Sequence, residues 1–289
     1  SKPFNYEVRF TLADYQSTID KYNNPEKKLG DDYYYEGMKV GEIWGYETEG
    51  FFTSQADIDS HAKQPYFYAG ATAGQWLPGD IKFKDLNGDG VIDYGNNTVD
   101  NPGDQKIIGN SEPRFIYGIN LSGDWNNFFV SAFFQGVGKQ DWWPGSEASY
   151  FWGMYNRAYN DMPKSHLGNI WTEENPNTYF PRLRGYSSEE PYAELNLKQT
   201  RYLQNIAYIR MKNIQLGYTL PKSFISKLRM QNAKVYVSGE NLWSWSPFYK
   251  YSKVEAVRGS DRDLTEGTSG NGYSYPILKS VSFGLSVTF

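Results

Sequence analysis

The chain has 289 residues, a formal net charge of −4, no cysteine and only two histidines. The lack of cysteine excludes disulfides, thiol catalysis and Cys/His zinc sites, and the negative charge argues against a nucleic-acid-binding surface. Aromatic residues make up 18% of the chain, a content typical of carbohydrate-binding β proteins and of membrane β-barrels.

The first predicted element is a strand in the opening stretch SKPFNYEVRFTL. Long polar connections rich in Gly and Pro follow at 53–114, 138–203 and 246–275. Other segments are joined by short turns. Short turns at one end and long loops at the other are typical of outer-membrane barrels. We therefore expect the three long connections to be extracellular loops. No stretch of 18 apolar residues predicts a transmembrane helix.

The first long connection contains KDLNGDGVID, an acidic stretch around a Gly-Asp-Gly turn. Its oxygen-bearing residues have the order of an EF-hand-type calcium loop, with Gly90 at the sharp turn. The candidate ligands are the side chains of Asp85, Asn87, Asp89 and Asp93 and the carbonyl of Val91. An all-oxygen set without His or Cys favours Ca²⁺ over zinc or copper.

The spacing does not settle which residue supplies the last ligand of this loop. Position 12 is Asn96, a poor substitute for a bidentate acid. Asp100 or Asp104 could supply the carboxylate if residues 94–103 bulge out as an insertion. The alternative is an Asx-rich surface turn that binds no metal.

A predicted β-hairpin comes next, formed by FIYGINLS, the turn GDWNN and FFVSAFFQG. After the second connection, YIRMKNIQLGYTL changes its apolar parity near Asn213, and a single β-bulge there would keep one apolar face. The stretch AKVYVSGENL is a further strand.

The chain ends on SVSFGLSVTF, in which apolar residues alternate at every position with small or weakly polar ones. Its apolar residues are Val281, Phe283, Leu285, Val287 and Phe289. Ten alternating residues match the roughly 9 to 11 needed to cross a bilayer at a tilt, and a strand of a soluble sandwich is usually shorter. We therefore predict a membrane-spanning strand whose odd residues face lipid.

The second connection carries an aromatic run, QDWWPGSEASYFWGMYNRAYN, at 140–160. The run contains Trp142, Trp143 and Trp152, whose spacing does not follow the two-residue period of a strand. Such rings contact substrate or a lid in one interpretation. In the other they form the small core of the loop itself or part of the interfacial girdle.

Two other functions share some of these sequence features. A secreted calcium-binding, carbohydrate-binding β module would share the acidic loop and the Trp content, but lipid-length strands disfavour it. A hydrolase would need paired carboxylates, and adjacent acids such as Glu173 and Glu174 point apart and favour solvated charge. We expect no enzymatic activity.

Several motifs resemble one family in residue and in order. They are GMKVGEIWGYETEGFF, PGDIKFKDLNGDGVID, DQKIIGNSEPRFIYGINLS, AFFQGVG, YIRMKNIQLGYTLP, KVYVSGENLW and the terminal SVTF. Together they span about residues 37 to 289. The chain resembles the C-terminal portion of a SusC/RagA-type TonB-dependent outer-membrane transporter.

This resemblance implies an all-β fold, the C-terminal part of an antiparallel transmembrane barrel of about 22 strands. The chain is then one piece, 1–289, of a longer polypeptide, whose plug and N-terminal barrel half lie outside it. It further implies import of glycans or peptides through the bacterial outer membrane. A SusD-like lipoprotein lid would be the surface partner, and TonB would engage the N-terminal part.

The resemblance also implies roles for individual residues. The family's acidic loop matches Asp85, Asn87, Asp89 and Asp93, with Asp104 in place of its closing Asp. The terminal aromatic, Phe289, takes the place of the family's barrel-assembly signal.

Overall fold

The structure is a computed structural model dominated by antiparallel strands. It describes residues 4–65, 75–146, 148–157, 159, 161–184, 188–189, 193–250 and 277–289. The strands are β1 (Asn5–Ala13), β2 (Glu42–Tyr46), β3 (Thr48–Phe51), β4 (Ile81–Phe83), β5 (Gln105–Asn110), β6 (Arg114–Trp125), β7 (Phe128–Lys139), β8 (Asp141–Trp142), β9 (Gln204–Asn205), β10 (Tyr208–Thr219), β11 (Asn232–Trp245) and β12 (Ser280–Thr288).

The helices in the described ranges are short. They are α1 (Gln55–Ser60), α2 (Ser149–Trp152) and α3 (Lys222–Ile225), with 3-10 turns at Gly153–Tyr155, Lys164–His166, Ser226–Leu228 and Pro247–Lys250. No helix of this part of the chain is long and apolar enough to span a membrane.

Six strands form one sheet in the order β1-β6-β7-β10-β11-β12, and all neighbours are antiparallel. The other strands form separate pairs, β2 with β5, β3 with β4 and β8 with β9. The predicted opening strand, hairpin and terminal strand are therefore confirmed as members of a single sheet.

The register sorts this sheet into an apolar and a polar face, because residues directly opposite each other lie on the same face. One row across all six strands reads Tyr6, Gly123, Val130, Leu216, Val237 and Phe283. The next row reads Glu7, Ser122, Ser131, Gln215, Ser238 and Ser282. The row after it is apolar again, with Val8, Leu121, Ala132, Ile214, Gly239 and Val281.

The bulge predicted near Asn213 is confirmed. The register of β10 shifts between Met211 and Asn213 against both of its neighbours. Met211 therefore lies on the apolar face with Ile214 despite its different parity. The bulge keeps Asn213 opposite Glu240 on the polar face.

The connections are as asymmetric as the sequence indicated. At one end, residues 126–127 join β6 to β7 and residues 220–231 join β10 to β11. At the other end the connections run from 14 to 113, from 140 to 207 and from 246 to 279. The first therefore begins well before the predicted residue 53. Residues 251–276 of the third lie outside the described residues.

The hairpin turn is tighter than predicted. Gly123, Asp124 and Trp125 still belong to β6, so only Asn126 and Asn127 form the turn. Both have positive φ, 49° and 73°, as a type I′ turn requires. Asn tolerates this conformation better than other residues with a side chain.

The main hydrophobic core lies in the long connections, whose described residues we call the loop layer. All three connections contribute to it, with Phe83 from the first, Trp152, Tyr155, Phe180 and Tyr202 from the second and Phe248 from the third. Among the buried residues of this core, only Val137 and Tyr208 belong to the six-stranded sheet. The loop layer is therefore a packed unit at one end of the sheet.

Candidate functional site: the acidic loop and the loop layer

The acidic loop is a tight turn closed on the carboxylate of Asp85. One carboxylate oxygen accepts a hydrogen bond from the Gly88 amide at 2.6 Å and the other accepts from the Gly90 amide at 2.9 Å. Gly88 and Gly90 both have positive φ, 78° and 83°, which a side chain would strain. Mainly because of the Gly90 hydrogen bond, the pKa of Asp85 is lowered, so the carboxylate is ionised at neutral pH.

Asn87 and Asp89 form the exposed tip of the turn. The Asn87 side-chain oxygen accepts from the Asp89 amide at 2.9 Å, and its Nδ2 donates to Asp89 Oδ2 at 2.9 Å. Asp89 Oδ1 accepts from the Val91 amide at 2.9 Å. Each Asp89 oxygen therefore accepts one hydrogen bond and keeps a further acceptor site for an ion.

Asp104 lies against the loop, while Asn96 and Asp100 are exposed outside it. The Asp104 carboxylate is buried and accepts from the amides of Leu86 at 2.7 Å and Asp93 at 2.8 Å. The Asp104 amide donates to the Asp93 carbonyl at 2.9 Å. Residues 94–103 thus bulge out, as the insertion hypothesis required.

Two glycines make the neck of this insertion possible. Gly95 and Gly103 have φ of 54° and 61°, and a Cβ on Gly103 would approach the Asp93 carbonyl oxygen to 2.4 Å. Burial raises the pKa of the Asp104 carboxyl, although its backbone hydrogen bonds oppose the shift. In this structure Asp104 holds the two ends of the loop together.

The oxygen donors of the loop are of the type that calcium binds, but their side chains are not gathered around one point. Asp85, Asn87, Asp89, Asp93 and the Val91 carbonyl offer the hard oxygens that Ca²⁺ prefers. Within the described ranges, however, no group of three or more His, Cys, Asp or Glu side chains is arranged for a metal. A cation here would depend on amide and carbonyl oxygens as well as carboxylates.

The three predicted tryptophans lie in or against the core of the loop layer. Trp152 is 0% exposed, and its indole N–H donates to the carbonyls of Pro144 at 3.0 Å and Gly145 at 3.1 Å. Trp142 packs edge-on against Phe248 at 5.3 Å, and Trp143 packs against Trp152 at 6.2 Å. Trp152 has no surface for a ligand in this conformation, whereas Trp142 and Trp143 are half-buried.

A buried charged cluster ties the first two connections together. Arg184 donates through Nε to Asp80 at 2.8 Å and through Nη2 to the other carboxylate oxygen. Fully buried Glu194 accepts from the Ile81 amide at 2.7 Å. Burial, reinforced by the Asp80 carboxylate, raises the pKa of Glu194 well above its usual value. This shift favours the protonated form of Glu194, and the Asp80 carboxylate is paired with Arg184.

The sequence reasoning missed a pocket beside β2. It is lined by residues from 29–46, 94–105 and 196–198, including Tyr33, Tyr35 and Trp44. The available signal was the run of three tyrosines at 33–35 close to two further aromatics in GEIWGY. This cluster of aromatic residues does not by itself indicate which kind of ligand would bind.

Comparisons with known proteins point in one direction. No protein-family model matches the chain. TonB-dependent receptor P3 of Formosa agariphila is 30% identical over 256 residues, which are 88% of this chain and 22% of that protein. TonB-dependent receptor P26 of the same organism is 28% identical over 258 residues, 88% of this chain and 23% of that protein.

Solved structures give the same fold. The RagAB peptide importer in its closed-closed state matches 100% of this chain and 28% of its own, with a TM-score of 0.63 at 18% identity. The open-open state matches with a TM-score of 0.61 at 17% identity, covering 100% of this chain and 27% of that one. The chain corresponds to a portion of a SusC/RagA-type TonB-dependent transporter.

The predicted fold is thereby confirmed. The six-stranded sheet of this transporter portion is part of a TonB-dependent transporter barrel. The named relatives are receptors and importers rather than enzymes. The chain spans less than a quarter of the length of the P3 and P26 receptors.

Proposed function

We propose that this chain forms wall and extracellular loops of a nutrient importer in a bacterial outer membrane. The observation that carries the proposal is the alternation of apolar and polar rows across all six strands. One face is apolar from strand to strand, as lipid contact requires, and the other is polar, as a water-filled lumen requires. The similarity to TonB-dependent receptors supports the same function.

The cargo we favour is glycan, taken up with a SusD-like lipoprotein acting as a lid over the loop layer. Peptide is the second candidate, because the structurally similar RagAB complex is a peptide importer. Energy would come from TonB through the N-terminal region, a plug would close the barrel, and an N-terminal barrel half would complete the wall with this chain. A secreted carbohydrate-binding module is disfavoured, because it would leave the apolar rows in water.

The test is uptake by cells that lack the full-length protein and are complemented with the native gene. Fluorescent glycans and peptides are offered separately, with and without depletion of TonB. We expect glycan uptake that requires both the protein and TonB, and co-purification of a surface lipoprotein. TonB-independent uptake, or a protein that fractionates away from the outer membrane, would contradict the proposal.

We also propose that the acidic loop binds one Ca²⁺ and that the ion orders the first extracellular connection. Its support is the order of oxygen donors together with the turn already formed around Asp85. Since the acidic side chains are not gathered around one point in this structure, binding would bring together the carboxylates of Asp85, Asp89 and Asp93, with an amide oxygen from Asn87 and the carbonyl of Val91. Asp104 would close the loop from behind, as ligand or as acceptor of the loop amides.

The calcium proposal is tested by hydrogen exchange of residues 84–104 in the full-length transporter during titration with Ca²⁺ or Mg²⁺. Ca²⁺ should slow exchange at concentrations where Mg²⁺ does not, and Asp89→Asn should weaken this effect at least tenfold. Asp100→Asn is the matched control, since Asp100 is an exposed acid of the same connection. No response at millimolar Ca²⁺ would refute the site.

Two further roles follow for aromatic residues. Half-buried Trp142 and Trp143 are proposed to contact cargo or lid, so alanine at either position should weaken glycan binding or lid co-purification. Exposed Phe289 is proposed as the barrel-assembly signal. Phe289→Ala should reduce the amount of assembled barrel, whereas Phe289→Tyr should preserve it.

A further inference from the structure

A cavity of about 400 Å³ opens in the loop layer beside β2. This volume lies within the roughly 300–1,000 Å³ range of small-molecule sites. The cavity is separate from the tip of the acidic loop and from the three tryptophans, none of which line it. It therefore needs its own explanation.

Hydrogen bonds to the backbone fix the cavity walls relative to one another. The Leu29 amide donates to the Asn97 carbonyl at 2.8 Å, and Asn97 Nδ2 donates back to the Leu29 carbonyl at 2.9 Å. On the other side, the Tyr46 amide donates to the Lys198 carbonyl at 2.8 Å. The walls come from different parts of the chain and are tied together, so the shape is largely pre-formed.

Five of the residues that line the cavity are aromatic. They are Tyr33, Tyr35, Trp44, Tyr46 and Tyr94. Tyr35 and Tyr46 are buried, whereas Tyr33 and Tyr94 are exposed by 49% and 37% at the mouth. Exposed flat rings offer apolar faces against which the C–H face of a sugar ring packs, and buried polar edges still form hydrogen bonds.

Glu42 places a carboxylate in this aromatic wall. It accepts hydrogen bonds from the Tyr35 hydroxyl and from the Lys39 amide, the latter at 3.0 Å. An ionised carboxylate has about four acceptor sites, so sites are left for hydroxyl groups of a ligand. Burial raises the pKa of Tyr35 to about 12, which keeps its hydroxyl a donor to Glu42 at neutral pH.

The charge of the lining argues for a neutral ligand. Lys198 is the cation among the lining residues, and it is paired with Asp31. The negative charge of Glu42 is already stabilised by two donors. An anionic ligand would meet Glu42 without an available cation, whereas a polyhydroxylated neutral ligand would find the remaining acceptor sites of Glu42 and the side-chain amide of Gln105.

We propose that this cavity binds a neutral saccharide unit of a glycan chain, with Tyr33 and Tyr94 packing on the sugar and Glu42 accepting its hydroxyl hydrogens. The inference rests on the proposed import function in one respect, since a glycan cargo brings such units to the loop layer. It assigns the loop layer a glycan-holding role distinct from passage through the barrel.

The test is calorimetric titration of the full-length transporter in detergent with neutral oligosaccharides of glucose, mannose and galactose. Tyr33→Ala and Tyr94→Ala should each raise the Kd at least tenfold. Tyr34→Ala is the matched control. Tyr34 is a neighbouring tyrosine with 43% exposure that packs on Tyr22 outside the cavity, and its removal should leave the Kd unchanged.

Three results would overturn the inference. They are no binding of any oligosaccharide, unchanged binding in both cavity variants, or ring-dependent binding of a lysine-rich peptide instead of sugar. Cellular uptake separates this failure from failure of the import proposal. Glycan uptake that persists with unchanged affinity in the variants rejects the cavity alone, whereas ring-dependent binding without any uptake rejects import alone.

Discussion

The six-stranded sheet and the loop layer place their large apolar side chains in opposite environments. On β12, Phe283 is 88% exposed, and its neighbours on the same face are also exposed. In the loop layer, Phe180, Tyr155 and Tyr202 are fully buried against one another. The same residue types thus pack inward in one region and outward in the other.

This difference shows which solvent each region is built for. A protein in water buries its aromatic side chains, and the loop layer does so with residues from all three connections. A contiguous apolar face on six strands is far larger than a soluble monomer tolerates. The sheet is therefore suited to lipid on one face, and the loop layer to water.

Trp152→Ala should give the largest effect, because it empties the centre of the loop core. Removal of a fully buried large aromatic costs about 3–5 kcal/mol. Hydrogen exchange of residues 148–157 in the full-length protein measures it, with Tyr150→Ala as the control in the same helix, since Tyr150 is 57% exposed. Equal effects at the two positions would mean that the loop layer has no core of its own.

Leu285→Arg should give the next largest effect, and it acts on the six-stranded sheet instead of the loop layer. A charge on the lipid face near mid-membrane costs about 2–4 kcal/mol. Ser286→Glu lies one residue along on the polar face, where its charge is opposite to that of its cross-strand neighbour Lys234, and should fold nearly as well as the native protein. Chemical unfolding in lipid vesicles measures both variants. A larger loss at Ser286 would reverse the assignment of the faces.

Glu194 should make the stability of the loop layer depend on pH. Its pKa is higher in the folded state than in the unfolded state, so the folded state binds more protons above pH 4.5. The contribution of Glu194 to the stability of the loop layer is then fully present below that pH and is lost as the pH rises through the folded pKa. Glu194→Gln should flatten this slope in loop-layer hydrogen exchange between pH 4.5 and 8. Parallel slopes in variant and native protein would exclude Glu194 as the cause.

The smallest effect belongs to the hairpin turn of the sheet. Asn127→Val puts a β-branched residue at φ 73° and should cost on the order of 1 kcal/mol. Asn127→Gly should be neutral, because glycine adopts this conformation freely. Vesicle unfolding compares the two variants. A valine variant as stable as the native protein would argue against the I′ turn.

The sequence predicted the sheet far better than the loop layer. A period of two is visible in any strand of nine or more residues, so the terminal strand and the parity change at Met211 and Asn213 could be read directly. The same period also predicted which residues of each strand share a face of the sheet, because a shift by one residue would move every side chain to the other face. Boundaries were less certain, and Trp125 proved to belong to β6 rather than to the turn.

The loop layer has no such period. Trp152 packs with Tyr202, and Glu194 binds the amide of Ile81, across separations that no local pattern encodes. Adjacent aromatics could equally have formed a ligand surface or a core. The turn of the acidic loop was the exception, since its residues are close in sequence and the turn follows from Asx and Gly chemistry; calcium binding there stays a prediction.

The most direct test of the central claim is the environment of two adjacent residues of β12. This portion of the transporter has no cysteine, so Phe283→Cys and Ser282→Cys can each be labelled in the assembled full-length transporter in vesicles, after replacement by serine of any cysteine in the rest of the protein. Spin labels there should respond oppositely, with residue 283 accessible to oxygen dissolved in lipid and residue 282 to a water-soluble nickel reagent. Equal access of both labels to the nickel reagent would contradict a lipid-facing apolar face.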